Sequence, residues 1–547
     1  MKTRPEIQWL IDRWELPPEA APAVEALLEA EGRGSTAQAM EKPVDLGRAA
    51  SGPNEDARTP LVVVRHGEHD HLQSRRLFEA ERNIARKLVS LASAEAEDCD
   101  DEHLEALFPG AATDDRQKLA ARMALRKRLT VITGGPGTGK TYTVARILAL
   151  LAARGIDPSD IALSAPTGKA ADRMRASVDA SLDSLPEGFP VAREDLARIA
   201  ATSRTLHSLL GHRPAEGACQ FNSTKRLPCR VLVVDECSMI DVFLWRAMLE
   251  ALPDGAKLVL VGDPDQLESV GTGDVFSEIT KAAGAESGPL AGTSVQLTEA
   301  RRFKDCPDIA ALAAFIRGND SGGASALLQQ CQGTNAPRGV AWIEAGNGGV
   351  EPGKFPESVK ESLIAVAGAG TAAEALDRLQ AVCVLTAQRR FFVGSRATGE
   401  KIERWLRGQG EVANQAVIID VNDRATGLRN GTVGVIRKEE DGSRRFHSRS
   451  ASGELKSYAL AQLPEHSPAW AMTIHRSQGS EYDDVLVVLP REESPLATRE
   501  LLYTAITRAK KRVTVAGSLD SVKTAVETKS KRTTLLASAL DRAAGEA

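Results

Sequence analysis

Four short apolar runs punctuate the middle of the chain: Leu129–Thr133, Ile161–Ser164, Val231–Val234 and Leu258–Val261. Segments of helical length and loops separate them. Short continuous apolar runs alternating with helical segments predict a parallel sheet covered by helices. A second set, Ala381–Leu385, Asp484–Leu489 and Arg512–Ala516, predicts a second domain of the same kind. Within that second domain, residues 391–465 change character. They carry short strand-like runs and two turn signals, Asn430-Gly431 and Asp441-Gly442, and predict a small inserted β-barrel. Upstream, the stretch from His71 to Ala96 spaces Leu77, Ile84, Leu88 and Leu91 near helical periods. An acidic run, Glu95 to Glu102, follows it, and Phe108-Pro109-Gly110 marks a break. The expected class is α/β: a small helical N-terminal domain over 1–108, then parallel-sheet domains over 109–295 and 296–547. The N-terminal region reads either as a helical domain with a solvated acidic loop or as a docking domain for a partner subunit. The glycine-rich stretch 345–353 reads as a flexible loop.

Composition narrows the picture without changing it. The 547 residues allow roughly three or four domains at ~150 residues each. Hydrophobic residues make up 42% and charged residues 26%, which is ordinary globular material. The longest strongly apolar stretch, Ile147 to Ala153, is too short to span a bilayer, and the first twenty residues lack a signal-peptide core. A cytoplasmic location is the default expectation. The seven cysteines are scattered without a C-x-x-C, so reduced thiols are expected and no metal-ligand spacing appears. A net charge of −5 carries no bulk nucleic-acid signal, so any DNA contact must come from local geometry or a partner.

The chemistry concentrates in three segments. In the first, an apolar strand runs into Gly134-Gly135-Pro136-Gly137-Thr138-Gly139-Lys140-Thr141, and the loop opens an amphipathic helix. That is the context in which a G-x-x-x-x-G-K-T segment cradles phosphates. Its glycines turn backbone N–H groups toward the anion, and the helix N-terminus adds partial positive charge. Lys140 is expected to reach the β- and γ-phosphates of ATP and the Thr141 hydroxyl to hold Mg²⁺. In the second, Val231–Val234 ends in Asp235-Glu236. Asp235 is the expected carboxylate toward Mg²⁺ and Glu236 the expected base for the attacking water. Cys237 beside them reads as a small buried filler. In the third, Gln266 follows the strand ending at Gly262-Asp263. A neutral amide there can sense the γ-phosphate, since it both donates and accepts; a plain turn is the alternative.

These elements, in this order, resemble superfamily 1 helicases, and further segments sharpen the likeness. Ser164–Met174 resembles a DNA-touching segment of that family, as does Ser203–Gly211. Gln296–Phe303 matches the segment with a phosphate-contacting arginine, here Arg302. Ala469–Pro490 resembles the DNA-contacting motif of the second motor domain, and Leu501–Gly517 places Arg508 at an arginine-finger position. Gln117 matches a glutamine that the family uses to read adenine. Asn422–Gly434 and Leu463–Trp470 resemble segments particular to the RecD family, the α subunits of exodeoxyribonuclease V (the RecBCD complex). The resemblance runs from about Leu72 onward. It implies two RecA-like P-loop motor domains and Mg-ATP hydrolysis. It also implies a 5′→3′ DNA motor, with RecB-like and RecC-like partners and the nuclease in a partner. Single-stranded DNA and duplex ends are the implied substrates, with Thr167, Thr473, His475 and Arg476 as contacts. Four departures stand out: Arg301 where the family has a tyrosine that stacks on adenine, Glu268 in place of a common proline, Arg476 in place of a lysine, and Thr432 where an aspartate is frequent after Asn430-Gly431. Two other readings stay open at this point: a stand-alone helicase on DNA or RNA, and a non-motor ATP-binding regulatory subunit of a nuclease complex.

Overall fold

In the computed structural model, residues 5–546 are described, apart from 56–57, 96–101, 111–114, 183–184, 214–216, 300–301, 304, 334–335, 337, 347–348, 392, 424 and 451–452. Most of the acidic run, with Cys99, and Arg301 lie outside the described residues. The chain packs as two units: Met1–Pro264, Glu268–Glu299 and Lys531–Ala547 form the first, Asp265–Leu267 and Ala300–Ser530 the second.

The first unit is built on a six-stranded sheet. Its order is Ser294–Leu297, Leu129–Gly134, Lys257–Gly262, Val231–Val234, Ile161–Ala165 and Arg204–Thr205, all parallel. The four apolar runs become its four central strands, buried along their length because helices cover both faces. Helix Arg75–Ala92 places Leu77, Ile84, Leu88 and Leu91 in the core beneath this sheet. Burying each such side chain contributes about 1.5–3 kcal/mol.

The N-terminal region is not the all-helical domain expected. Strands Leu61–His66 and His69–Ser74 form an antiparallel hairpin in a four-stranded sheet, with Gln38–Met40 and Ala50–Ser51 on its flanks. The reason is local. Leu61–Val64 is an apolar run with three β-branched valines, and Gly67, at φ +60°, opens a two-residue hairpin loop. Helices Pro5–Trp14 and Ala21–Gly32 pack on this sheet around Ile7, Ile11, Val24, Leu27, Leu61 and Leu72.

Residues 531–546 return to the first unit. Helix Leu536–Glu546 packs on helix Arg75–Ala92. The segment before it is tied by hydrogen bonds: Thr36 N donates to Thr533 O at 2.7 Å. The buried Glu81 carboxylate accepts from Thr36 Oγ1 at 2.6 Å, Gln73 Nε2 at 2.8 Å, Thr534 Oγ1 at 2.7 Å and Leu535 N at 3.1 Å.

The second unit holds a five-stranded parallel sheet in the order Val340–Ile343, Ala509–Ala516, Tyr482–Val488, Val382–Thr386 and Met472–Thr473. The insertion is shorter than expected, and it is a sheet. Residues Ser395–Gln409 are a helix, and five antiparallel strands between Asn414 and Pro468 follow. Their order begins with Leu455–Ala459 and ends with His466–Pro468. Among the described residues these outer strands do not pair with each other, so the ladder stays open and no closed barrel forms. Both turn glycines adopt the left-handed conformation the turns require, Gly431 at φ +86° and Gly442 at φ +82°. Among the described residues no helix is long and apolar enough to cross a membrane.

Candidate functional site

In the first unit the phosphate-loop segment leaves the carboxyl end of a central strand, where open parallel sheets bind ligands. The strand ends at Gly134 and the helix begins at Lys140, so the turn must be made in five residues. Gly139 makes it at φ +86°. That left-handed backbone favours glycine, and a Cβ there, 2.3 Å from the Gln117 side-chain nitrogen, would displace Gln117 from the loop. Gln117 stands in the first turn of helix Arg116–Arg126, which Asp115 caps by accepting from Lys118 N at 2.9 Å. Its Nε2 donates to Thr138 O at 3.2 Å. Gln117 is thereby brought onto the loop. Lys140 folds over the same loop, donating from Nζ to Gly134 O at 2.6 Å and to Gly135 O at 3.0 Å. Thr141 follows in the first helical turn, partly exposed.

Asp235 continues strand Val231–Val234, one strand removed from Leu129–Gly134 in the sheet, and its N–H donates to Ser164 O at 3.0 Å. Burial, and then the charge of Glu236, push the Asp235 carboxyl up to about 6; Lys140 and Arg173 pull in the opposite direction. Glu236 holds φ +53°, the left-handed region that a side chain rarely adopts, and its N–H donates to Asp235 Oδ1 at 2.8 Å. Backbone strain of this kind, costing ~1–3 kcal/mol, gathers at functional sites. Cys237 is buried against Val234 O, and burial pushes its thiol well up, so it is packing material as expected. The oxygen donors here, one hydroxyl at Thr141 and one carboxylate at Asp235, are hard ligands. They fit Mg²⁺, which takes few protein oxygens and completes its shell with phosphate and water.

The other predicted residues sit in the second unit or apart. Gln266 does not stay with the first sheet. The three-residue segment Asp265–Leu267 belongs to the second unit, where Thr504 Oγ1 accepts from Leu267 N at 2.8 Å and Gln478 Nε2 donates to Leu267 O at 3.1 Å. Arg508 is buried and donates to Gln266 Oε1, Thr504 O and Ser480 O at 2.8, 3.1 and 3.3 Å. Arg302 pairs with Glu481 at 2.7 Å. Gln266, Arg302 and Arg508 therefore converge on the segment Gln478–Glu481. Sequence reasoning left Gln478, Ser480, Glu481 and Thr504 without roles, although all four lie inside quoted motifs.

The predicted DNA contacts are helix-start residues. Thr167 Oγ1 accepts from Ala170 N at 3.2 Å ahead of helix Gly168–Leu182 in the first unit. In the second, Thr473 caps the turn Ile474–Ser477, which carries His475 and Arg476, both partly exposed. Arg476 pairs with Asp420 at 2.7 Å, and Arg389 pairs with the other oxygen of the same carboxylate at 2.7 Å. No signal in the sequence marked Asp420 or Arg389.

Known proteins are similar to this chain in sequence. The AAA domain family matches residues 117–272, and the UvrD-like helicase C-terminal domain family matches residues 468–516. The chain is 38% identical over 435 residues to the RecBCD enzyme subunit RecD of Mycolicibacterium smegmatis, covering 77% of this chain and 74% of that one. It is 31% identical over 511 residues to the subunit of the same name from Haemophilus influenzae, covering 84% and 77%. It is 27% identical over 498 residues to the ATP-dependent RecD2 DNA helicase of Deinococcus radiodurans, covering 89% of this chain and 60% of that one.

Proposed function

The chain belongs to the RecD family, and from that premise we propose a 5′→3′ ATP-dependent DNA helicase, the motor subunit of a RecBCD-type helicase-nuclease that processes double-strand breaks for recombinational repair. One observation carries the chemistry: Gln117, Lys140 and the Asp235-Glu236 pair gather at the carboxyl ends of the parallel strands of one sheet. The subunit reading is preferred over a stand-alone helicase, since the chain covers 74% of the Mycolicibacterium smegmatis RecD subunit at 38% identity but only 60% of the RecD2 helicase at 27%.

In this reading ATP is the substrate. Loop N–H groups from Gly134 to Gly139 and the start of helix Lys140–Ala153 hold its phosphates. Lys140 exchanges its loop carbonyls for phosphate oxygens. Gln117 has an amide that can both donate to and accept from the adenine edge. Mg²⁺, held by Thr141 and Asp235, supplies charge neutralisation when bound. Glu236 accepts the proton of the attacking water. Arg302 and Arg508 stabilise charge on the transferring phosphoryl group, a role worth ~10³–10⁵ in rate elsewhere. Gln266, whose amide oxygen accepts from Arg508, senses the γ-phosphate. Thr167, Thr473, His475 and Arg476 hold the strand by its phosphates, which fixes position without reading sequence. The nuclease lies with a partner, and RecB-like and RecC-like subunits complete a heterotrimer.

Lys140→Gln in the full chain, assembled with its partner subunits, tests the reading. DNA-stimulated ATP turnover by this subunit is expected to fall by about 10²-fold or more, together with unwinding from 5′-tailed ends. Unchanged turnover by this subunit would show the reading to be wrong.

A further inference from the structure

The turn between strand Val382–Thr386 and helix Ser395–Gln409 has no role in the mechanism above, yet it is closely built. Ser395 N donates to Gln388 O at 2.9 Å, Arg396 N to Arg389 O at 3.2 Å and Gly394 N to Phe391 O at 3.0 Å. A Cβ on Gly394 would lie 2.1 Å from Arg390 O, so only glycine permits the closure. At its tip Phe391 is 77% exposed and holds φ +72°. Among the described residues only four non-glycine positions have positive φ, and Phe391 is the one aromatic. An apolar ring is thus driven outward by a backbone that costs free energy to maintain, a combination typical of functional turns.

The turn's surroundings say what the ring could meet. Arg389, Arg390 and Arg396 are all exposed around it. Arg389 and Arg476 grip the two oxygens of the buried Asp420 carboxylate, each at 2.7 Å. That shared carboxylate fastens the base of the turn beside the Thr473–Arg476 turn. Ser467 Oγ also donates to Asp420 Oδ1, at 3.3 Å, so the anchor is tied into the inserted sheet as well. An exposed ring among guanidinium groups, next to a phosphate-binding turn, is the composition of a single-strand platform. The bases stack on the aromatic face while the cations follow the backbone.

We infer that Phe391 is a stacking platform for one base of single-stranded nucleic acid, carried on the arginine-lined turn that Asp420 fastens beside Thr473–Arg476. This rests on the helicase reading and adds a contact to it. Because every base offers a π-face, the contact is independent of sequence and suits a motor that must pass all bases.

The test uses the full chain, a fluorescein-labelled oligo-dT strand and anisotropy titrations at several salt concentrations. Phe391→Ala is expected to weaken binding about tenfold with an unchanged salt slope, and Phe391→Trp to keep wild-type affinity and show indole quenching on binding. Arg389→Gln is expected to flatten the slope of log affinity against log salt by ~0.7. In the DNA-stimulated ATPase, Phe391→Ala is expected to raise the DNA concentration for half-maximal rate tenfold while kcat at saturating DNA stays near wild type. Wild-type binding with a Phe391→Ala constant within twofold of it overturns this inference alone. So does a Phe391→Ala chain that binds DNA normally but fails to join its partner subunits, since the ring would then be a protein contact. Absence of binding by the wild-type chain overturns the helicase reading and this inference with it.

Discussion

The guanidinium of Arg508 donates from Nη2 to the Gln266 amide oxygen at 2.8 Å, and it is buried where it does so. Two residues far apart in sequence are thereby one unit of chemistry. Gln266→Glu replaces a neutral acceptor by a charged one opposite a fixed cation, so the fold should survive and the amide's donor function should not. DNA-stimulated kcat is expected to drop ~10²–10³-fold with little change in melting temperature. Arg508→Lys keeps the charge but offers its donors from one nitrogen rather than three, so it cannot span the three acceptors of the fork, and both kcat and melting temperature should fall. Steady-state ATPase and thermal melting on the two variants separate the effects. Equal melting losses in both would argue that the pair is only structural.

Asp235 gives the site a pH dependence of definite sign. Its carboxyl is raised from 3.8 to about 6 by burial and by Glu236. A raised acid contributes stability below its ordinary value, and that contribution is lost as pH rises through about 6. Asp235→Asn should therefore be more stable than wild type at pH 8, and the difference should close toward pH 5. Function runs the other way, because the metal needs the ionised carboxylate. Apparent Mg²⁺ affinity in the presence of ATP should fall by about tenfold per pH unit below the carboxyl's midpoint. Titration calorimetry with Mg²⁺ at pH 5.5, 6.5 and 7.5 checks this, and a flat profile would contradict it.

Glu268, which departs from the common proline, has a partner. Arg532 pairs with it at 2.9 Å and donates to Ser269 O and Gly271 O at 2.8 Å each, all within the first unit. Removing Arg532 leaves a carboxylate and two carbonyls to find water in a largely covered place. Arg532→Ala is expected to cost ~2–4 kcal/mol, seen as a lower denaturation midpoint. The single variant Glu268→Pro should cost less than Arg532→Ala, since the two carbonyl contacts survive it. The opposite order would place the stability in the ion pair.

Gln117 bonds the loop at Thr138 O, and its amide is the only group assigned to the base. Gln117→Ala should raise the KM for ATP about tenfold, the value of ~1–2 kcal/mol for a lost hydrogen-bonding pair. It should raise the KM for GTP far less, so that preference between purines flattens. Parallel ATPase and GTPase titrations read this directly; an unchanged ATP/GTP ratio would remove the adenine role.

Much of this was legible in the sequence, for identifiable reasons. Buried parallel strands are continuous apolar runs, so Leu129–Gly134 and Val231–Val234 announced themselves. Glycines and acids at strand ends named the phosphate loop and the Asp235-Glu236 pair because their geometry is local. Edge strands were missed: Ser294–Leu297 is buried only at alternate positions, and Val340–Ile343 is four residues long. The N-terminal hairpin was passed over although Leu61–Val64 and Gly67 carry its signal, since a long amphipathic helix beside it dominated the pattern. What local pattern cannot carry is pairing across distance. Nothing in Asp420 foretells two arginines, and nothing in Glu268 foretells Arg532.

The return of residues 531–546 to the first unit has a consequence for how the protein is made. Glu81 and helix Arg75–Ala92 leave the ribosome early, but Thr534, Leu535 and helix Leu536–Glu546 leave it after the whole of the second unit. Domains usually mature in the order of synthesis. Here the unit begun first is finished last. Until then a carboxylate bound for burial and an apolar helix face stand uncovered.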